Sequence, residues 1–101
     1  MIVYNITIKI DPAIEQEWVQ WQQQEHIPDI MKTGMFTGQK MFRLLDQDES
    51  EGITYVCQYF ASNTANYECY IRDHAPLLRE KAMKRWGDRF IAFRTVMRLV
   101  N

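Results

Sequence analysis

Ile2-Val3-Tyr4-Asn5-Ile6-Thr7-Ile8-Lys9-Ile10, followed at once by Asp11-Pro12, is the stretch that decides the fold. Ile2, Tyr4, Ile6, Ile8 and Ile10 fall on one side of an extended chain, and Val3, Asn5, Thr7 and Lys9 on the other. That is the period-two pattern of a β-strand with one face in a core. Asp11 then offers a side-chain oxygen to the first free N–H groups of a helix, and Pro12 suits the first helical position. Ile14, Trp18 and Trp21 recur at spacings of four and three, which lays one apolar stripe along that helix. The helix runs on through Gln22, Gln23 and Gln24, read as a solvated face, to Glu25-His26-Ile27-Pro28. There Pro28, lacking an N–H and crowding the Gln24 carbonyl, must kink or break it. Gly34 closes the segment.

The pattern then repeats with one strand added. A second strand is expected from about Thr37 to Leu45, and the acidic loop Asp46–Gly52 leads to a third from Ile53 to Phe60, rich in β-branched and aromatic residues. Ser62-Asn63-Thr64 supplies the start of a second helix. Its stripe is Tyr67, Tyr70, Ile71, Leu77 and Leu78, interrupted by Pro76. Lys81, Lys84 and Arg85 sit in its last turns, where cations suit the helix dipole, and Gly87 stops it. A fourth strand runs from about Arg89 to Val100. The order β-α-β-β-α-β predicts an α+β fold: a ferredoxin-like sandwich with a four-stranded antiparallel sheet and two helices on one face. Glu25-His26-Ile27-Pro28 and Asp73-His74-Ala75-Pro76 stand 48 residues apart (25 to 73) and mark the two halves of an internal repeat.

Composition narrows the rest. The chain has 101 residues, 12 basic and 13 acidic, with 47% apolar and 25% charged residues, which fits one globular domain spanning 1–101 and excludes disorder or a disulfide scaffold. No apolar run approaches the ~20 residues of a membrane-spanning helix. The first residues have neither a basic region nor a cleavage site, and Cys57 and Cys69 form no metal or redox motif, so a cytoplasmic protein with free thiols is expected. The net charge of −1 gives no general attraction to nucleic acid. The sheet face away from the helices is expected to carry Asn5, Thr7, Met41, Val56, Gln58, Phe60, Ala92, Arg94 and Val96. Such a surface is too apolar for free water and too polar for a dry core, and a homodimer packing these faces together resolves the conflict.

The opening strand, the Trp18…Trp21…Glu25-His26-Ile27-Pro28 helix, Tyr59-Phe60, His74-Ala75-Pro76 and Arg85-Trp86-Gly87-Asp88-Arg89-Phe90 resemble a small bacterial family of unknown function. That family is similar to the dimeric α/β barrel group, over essentially the whole chain. The resemblance implies the fold and a homodimer. It implies no activity, since the wider group includes cofactor-independent monooxygenases, lactone isomerases, haem-degrading enzymes and proteins without known chemistry.

Three sets of residues carry candidate chemistry. His74 falls mid-stripe on the second helix and is expected to be buried against the sheet, as a general base or as a satisfied core imidazole. Glu25 falls on the stripe of the first helix with His26 at its edge. A carboxylate in an apolar pocket would hold a raised pKa and exchange protons, against the blander expectation of a helix-end acid near solvent. Asn5, Gln58, Arg94 and Tyr59 are candidates to bind a small organic ligand, either between sheet and helices or at the dimer interface, against the blander expectation that Asn5, Gln58 and Arg94 hydrogen-bond across the two-fold. No metal site and no cofactor are expected. A cofactor-independent enzyme of the monooxygenase or isomerase kind is the alternative function. RNA binding comes last: eight of the 12 basic residues fall between Arg72 and Arg98, but Glu51, Ile53 and Gln58 stand where an RNA-recognition strand needs a base and stacking aromatics.

Overall fold

The computed structural model describes residues 1–101. Strand β1 (Ile2–Ile10) is buried at every even position, as its alternation demands. It lies at the centre of the sheet between β3 (Ile53–Ala61) and β4 (Phe90–Arg98), with β2 (Gly38–Arg43) outside β3, giving the antiparallel order β2-β3-β1-β4. The pairs Ile6↔Cys57 and Ile6↔Arg94 set the register on the two sides of β1. Residues paired this way share a face, so Ile53, Tyr55, Cys57, Tyr59 and Ala61 join the β1 isoleucines in the core.

Both helical segments cover that face. Helix α1 (residues 12–31) starts where Asp11 Oδ1 accepts a hydrogen bond from the Ala13 N–H at 2.9 Å. Arg89 reaches the same carboxylate at 3.2 Å and, with the Ala13 N–H, holds it below the usual carboxylate range. Helix α2 (residues 64–86) starts at Asn63, whose Oδ1 accepts from the Asn66 N–H at 2.8 Å. It ends at Gly87, whose φ of +61° with ψ of −129° is a conformation that only glycine adopts without strain.

Neither helix is regular. Each contains one π-turn, Gln22–His26 in α1 and Tyr70–His74 in α2, at matching points of the internal repeat. The Ile27 N–H bonds the Gln22 carbonyl and the Ala75 N–H bonds the Tyr70 carbonyl, five residues back in each case. The proline that follows explains the position. Pro28 and Pro76 have no N–H to give and crowd the carbonyl four residues earlier, so the turn before each one widens. A widened turn inserts one residue into the helical count and rotates everything after it. The inward residues of α1 therefore run Ile14, Trp18, Gln22, Ile27, Ile30, and those of α2 run Tyr70, Ala75, Leu78, Trp86.

That rotation corrects two expectations, and the regular spacing before the widened turn corrects a third. Glu25 is exposed rather than on the apolar stripe, and His26 takes the inward-leaning place. His74 is only half-buried; the fully buried residue is Ala75. Gln22 is not solvated but 3% exposed, four residues after Trp18 on the inner stripe.

The outer sheet face is corrected too. Asn5, Thr7, Val56, Gln58 and Phe60 lie on it, but Ala92, Arg94 and Val96 pair with Ile8, Ile6 and Tyr4 and belong to the helix side. Met41 pairs with Cys57 and also turns inward. In β4 the outward residues are Ile91, Phe93, Thr95 and Met97. The reason is a one-residue difference in register, which exchanges the two faces of a strand. The Asp11 N–H donates to the Arg89 carbonyl at 2.9 Å and fixes Phe90 opposite Ile10.

Candidate functional site

Between the sheet and the two helices lies a cavity of about 40 Å³. Its floor is Ile6 and Ile8 of β1, Cys57 and Tyr59 of β3, and Phe90, Ala92 and Arg94 of β4. Trp18, Trp21, Gln22 and His26 of α1 and Arg79, Ala82 and Trp86 of α2 close it from above. Most of this lining is apolar, yet polar atoms are concentrated in it. Gln22 Oε1, Tyr59 Oη, Arg79 Nε and Trp86 Nε1 are buried and have no hydrogen-bond partner, and all four residues line this one cavity. Buried polar groups are ordinarily satisfied, because an unpaired one costs roughly 1–3 kcal/mol. Four such atoms, all carried by residues that line one space, mark that space as the place where a bound group would find partners.

The charges around it are all of one sign. Arg79 donates from Nη2 to the Tyr4 hydroxyl at 3.0 Å and forms no ion pair. Arg94 likewise has no acidic partner, and no Asp or Glu lines the cavity. His26 stacks on Trp21, with ring centroids 4.6 Å apart and planes within 19°. Burial pushes its pKa down to about 4; Lys81 and Arg94 act in the same direction, and Asp29 opposes them. The imidazole is therefore neutral at pH 7. Burial also pushes the Tyr59 and Tyr70 hydroxyls upward and the Cys57 thiol up to about 12, so all three stay protonated.

Of the residues singled out in the sequence, the structure brings His26, Tyr59 and Arg94 together at this cavity. Asn5 and Gln58 lie on the opposite face of the sheet, where Gln58 Nε2 donates to Asn5 Oδ1 at 3.2 Å and Asn5 Nδ2 donates to Thr95 Oγ1 at 3.3 Å. Glu25 edges an open surface cleft with Lys81, Lys84 and Arg85. His74 lies in a different open groove beside Asp29, Lys32 and Asp73, its ring stacked on Tyr70 at 6.2 Å. The two acid–His pairs do not meet, and nowhere do three His, Cys, Asp or Glu side chains gather as metal ligands. Gln22, Arg79 and Trp86 were not anticipated as site residues. Gln22 was within reach, since Ile14, Trp18 and Gln22 are each four apart.

A βαββαβ order with a four-stranded antiparallel sheet covered on one face by two helices defines the ferredoxin-like α+β class, and solved structures share that architecture. The chain belongs to the DUF4286 family, a domain of unknown function, which it matches over residues 1–100. It is similar to an ethyl tert-butyl ether D (EthD) family protein from Bacillus halodurans, at TM-score 0.69 and 18% identity, covering 99% of this chain and 100% of that one. A dimeric ferredoxin-like protein from an uncultured marine organism aligns at TM-score 0.63 and 13% identity, covering 99% and 95%. SnoaB, a cofactor-independent oxygenase from Streptomyces nogalater, aligns at TM-score 0.64 and 7% identity, covering 99% and 94%. At these identities the likeness is one of fold. No curated protein matches the chain.

Proposed function

We propose that the protein is a homodimer that binds a small organic molecule in the cavity between sheet and helices of each subunit. The observation that carries the binding site is that all four residues with an unpartnered buried side-chain polar atom line one cavity. All three tryptophans of the chain, Trp18, Trp21 and Trp86, line that cavity, so intrinsic fluorescence reports directly on its contents. Titration with a collection of fragments of up to about ten heavy atoms should give saturable fluorescence changes with some of them. Ala82→Leu, which fills the cavity, should abolish those changes. The absence of any saturable response, or responses unaltered in Ala82→Leu, would overturn the site.

The outer sheet face supports the dimer. Phe93 is 65% exposed, Ile91 59% and Phe42 47%, and they surround the hydrogen-bonded row Gln58–Asn5–Thr95 that crosses three strands. A patch of this kind with a satisfied polar centre suits a self-complementary interface, and one neighbour of the same fold is described as dimeric. Light scattering should return twice the chain mass of 12.1 kDa; a mass of one chain at micromolar concentration overturns the dimer.

A second reading, a cofactor-independent enzyme, draws support from the neutral imidazole of His26 beside two guanidinium groups and from the described activity of SnoaB. Its weakness is basicity. A group with a pKa of about 4 is in the proton-accepting form at pH 7 but holds a proton poorly, whereas an efficient general base has a pKa near the working pH. Binding is therefore the stronger reading. The cytoplasm as the site of action belongs to the same proposal and rests on free thiols at Cys57 and Cys69.

A further inference from the structure

The cavity reading says that something small binds; the chemistry of the lining goes further and identifies the kind of group. We propose that the cavity is a carboxylate site, in which Arg79 and Arg94 supply the positive charge and the Tyr59 hydroxyl and Trp86 N–H donate to the same two oxygens. This inference rests on the cavity being the binding site.

Three observations point to an anion with a flat, two-oxygen head. First, the unpartnered atoms are mostly donors. Arg79 Nε and Trp86 Nε1 can only donate, and the Tyr59 hydroxyl can donate, while Gln22 Oε1 is the single group that can only accept. A neutral amide or alcohol oxygen would leave one or more of the three donors idle, whereas a carboxylate has about four lone-pair directions and accepts from all three, with Gln22 Oε1 left to a water or to a donor elsewhere on the ligand. Second, two guanidinium groups face the cavity with no acid beside them. Arg79 has one nitrogen, Nη2, occupied by the Tyr4 hydroxyl, which orients the group and leaves Nε buried and unpartnered on a residue that lines the cavity. Guanidinium groups bind carboxylates with matched geometry and charge-assisted hydrogen bonds. His26, being neutral, neither repels nor supplies a counter-charge of its own.

Third, the size fits. A cavity of about 40 Å³ exceeds the roughly 10–15 Å³ that a single water needs and has room for a small head group such as a carboxylate. Ten of the 14 lining residues are hydrophobic, which suits a short apolar stem attached to that head. Arg94 is exposed at the sheet edge, and a longer tail would leave the cavity past it. A short monocarboxylate and the acid end of a longer one share this chemistry, and chain length distinguishes them.

The test uses the full-length protein and two matched series, the straight-chain alkanoates from acetate to octanoate and the corresponding primary alkanamides, followed by tryptophan fluorescence and calorimetry. Alkanoates should bind at least about tenfold more tightly than the amides of equal length, the difference expected of a charged over a neutral partner for buried donors. Affinity that peaks at three or four carbons indicates a short acid; affinity that keeps rising to octanoate indicates an acid end with an emergent tail. Arg94→Met, at an exposed position, should keep the fold and lower alkanoate affinity about tenfold while lowering amide affinity by clearly less, so that the acid-over-amide preference shrinks. Arg79→Met should do the same, and Arg79→Lys should restore part of the loss. Equal binding of acids and amides, or unchanged alkanoate affinity in Arg94→Met, would overturn the carboxylate assignment and leave the cavity reading standing. If neither series binds and the fragment collection is also silent, both readings fall. If fragments bind but neither series does, only the carboxylate assignment falls.

Discussion

Acid should destabilise this protein through His26 before it touches any carboxylate. The imidazole is packed against Trp21 over the cavity, and its pKa falls from an ordinary 6.5 to about 4 because burial disfavours the charged form. In the unfolded chain the same imidazole takes up its proton near 6.5. Between those two values the unfolded state binds more protons than the folded one, so stability rises with pH through the window and is lost as pH falls through it. A tenfold difference in proton affinity is worth about 1.4 kcal/mol, so the loss on going from pH 7 to pH 4 comes to about 3 kcal/mol. Charged neighbours reinforce the direction: Lys81 and Arg94 face the ring and oppose its protonation, and only Asp29, already paired with Lys81 at 3.2 Å, favours it.

The window separates this effect from the carboxylates. Asp11, Asp48 and Asp73 are held below their usual 3.8, so what they contribute is lost only below that value. Urea denaturation at pH 7.0, 6.0, 5.0 and 4.5, at one protein concentration, should therefore show a steady fall in the wild type. His26→Gln, which cannot charge, should show little slope over the same range. A wild type equally stable at pH 6.5 and 4.5, or a His26→Gln variant with the same slope, would refute the burial of a neutral imidazole over the cavity.

Three further outcomes follow from the geometry. Tyr59→Phe removes a hydroxyl that has no partner, so it should be neutral or stabilise the fold by up to about 1 kcal/mol while weakening ligand binding; a loss of stability above about 2 kcal/mol in thermal or chemical denaturation would mean that the hydroxyl is already paired. His74→Ala should cost only about 0.5–1 kcal/mol, the contribution of a stacked ring contact with Tyr70, and a larger loss would return His74 to the core. Phe93→Asp or Val56→Asp should convert the proposed dimer to monomer in light scattering, whereas Val96→Asp, on the helix side of β4, should leave it intact.

How far the sequence carries depends on what breaks its periods. The strand period survives undisturbed in β1 and β3, so Ile2 to Ile10 and Ile53 to Ala61 declare their buried faces outright. The capping chemistry at Asp11 and Asn63 is equally local and equally legible. In β4 the period is correct but its phase is not written in the strand. Arg89 to Val100 alternates apolar and polar residues too weakly to choose, and the choice is made by a backbone bond from Asp11, 78 residues away along the chain. Arg94 thus changes sides of the sheet, from an interface residue to a cavity residue, without any change in the local sequence.

The helices fail at one point each, and for one reason. A proline that widens the turn before it displaces the count by a single residue, which is enough to exchange His74 for Ala75 and Glu25 for the His26–Ile27 edge. The repeated acid-His-aliphatic-Pro segment was visible, and its meaning is now geometric: it is the sequence form of a π-turn, built twice. The two copies have diverged in what they carry inward. In α1 the widened turn begins at the inward Gln22 and brings His26 to the same cavity, and in α2 it begins at the buried Tyr70, turns Ala75 into the apolar core and sets the phase that brings Arg79 and Trp86 to the cavity. A π-turn costs hydrogen-bond geometry that a regular helix would keep, and such turns concentrate at functional sites. Without the extra residue in α2, Arg79 would rotate off the cavity by about the 100° of one helical step. The cation that the proposed carboxylate needs is therefore positioned by Pro76, and the neutral imidazole beside it by Pro28.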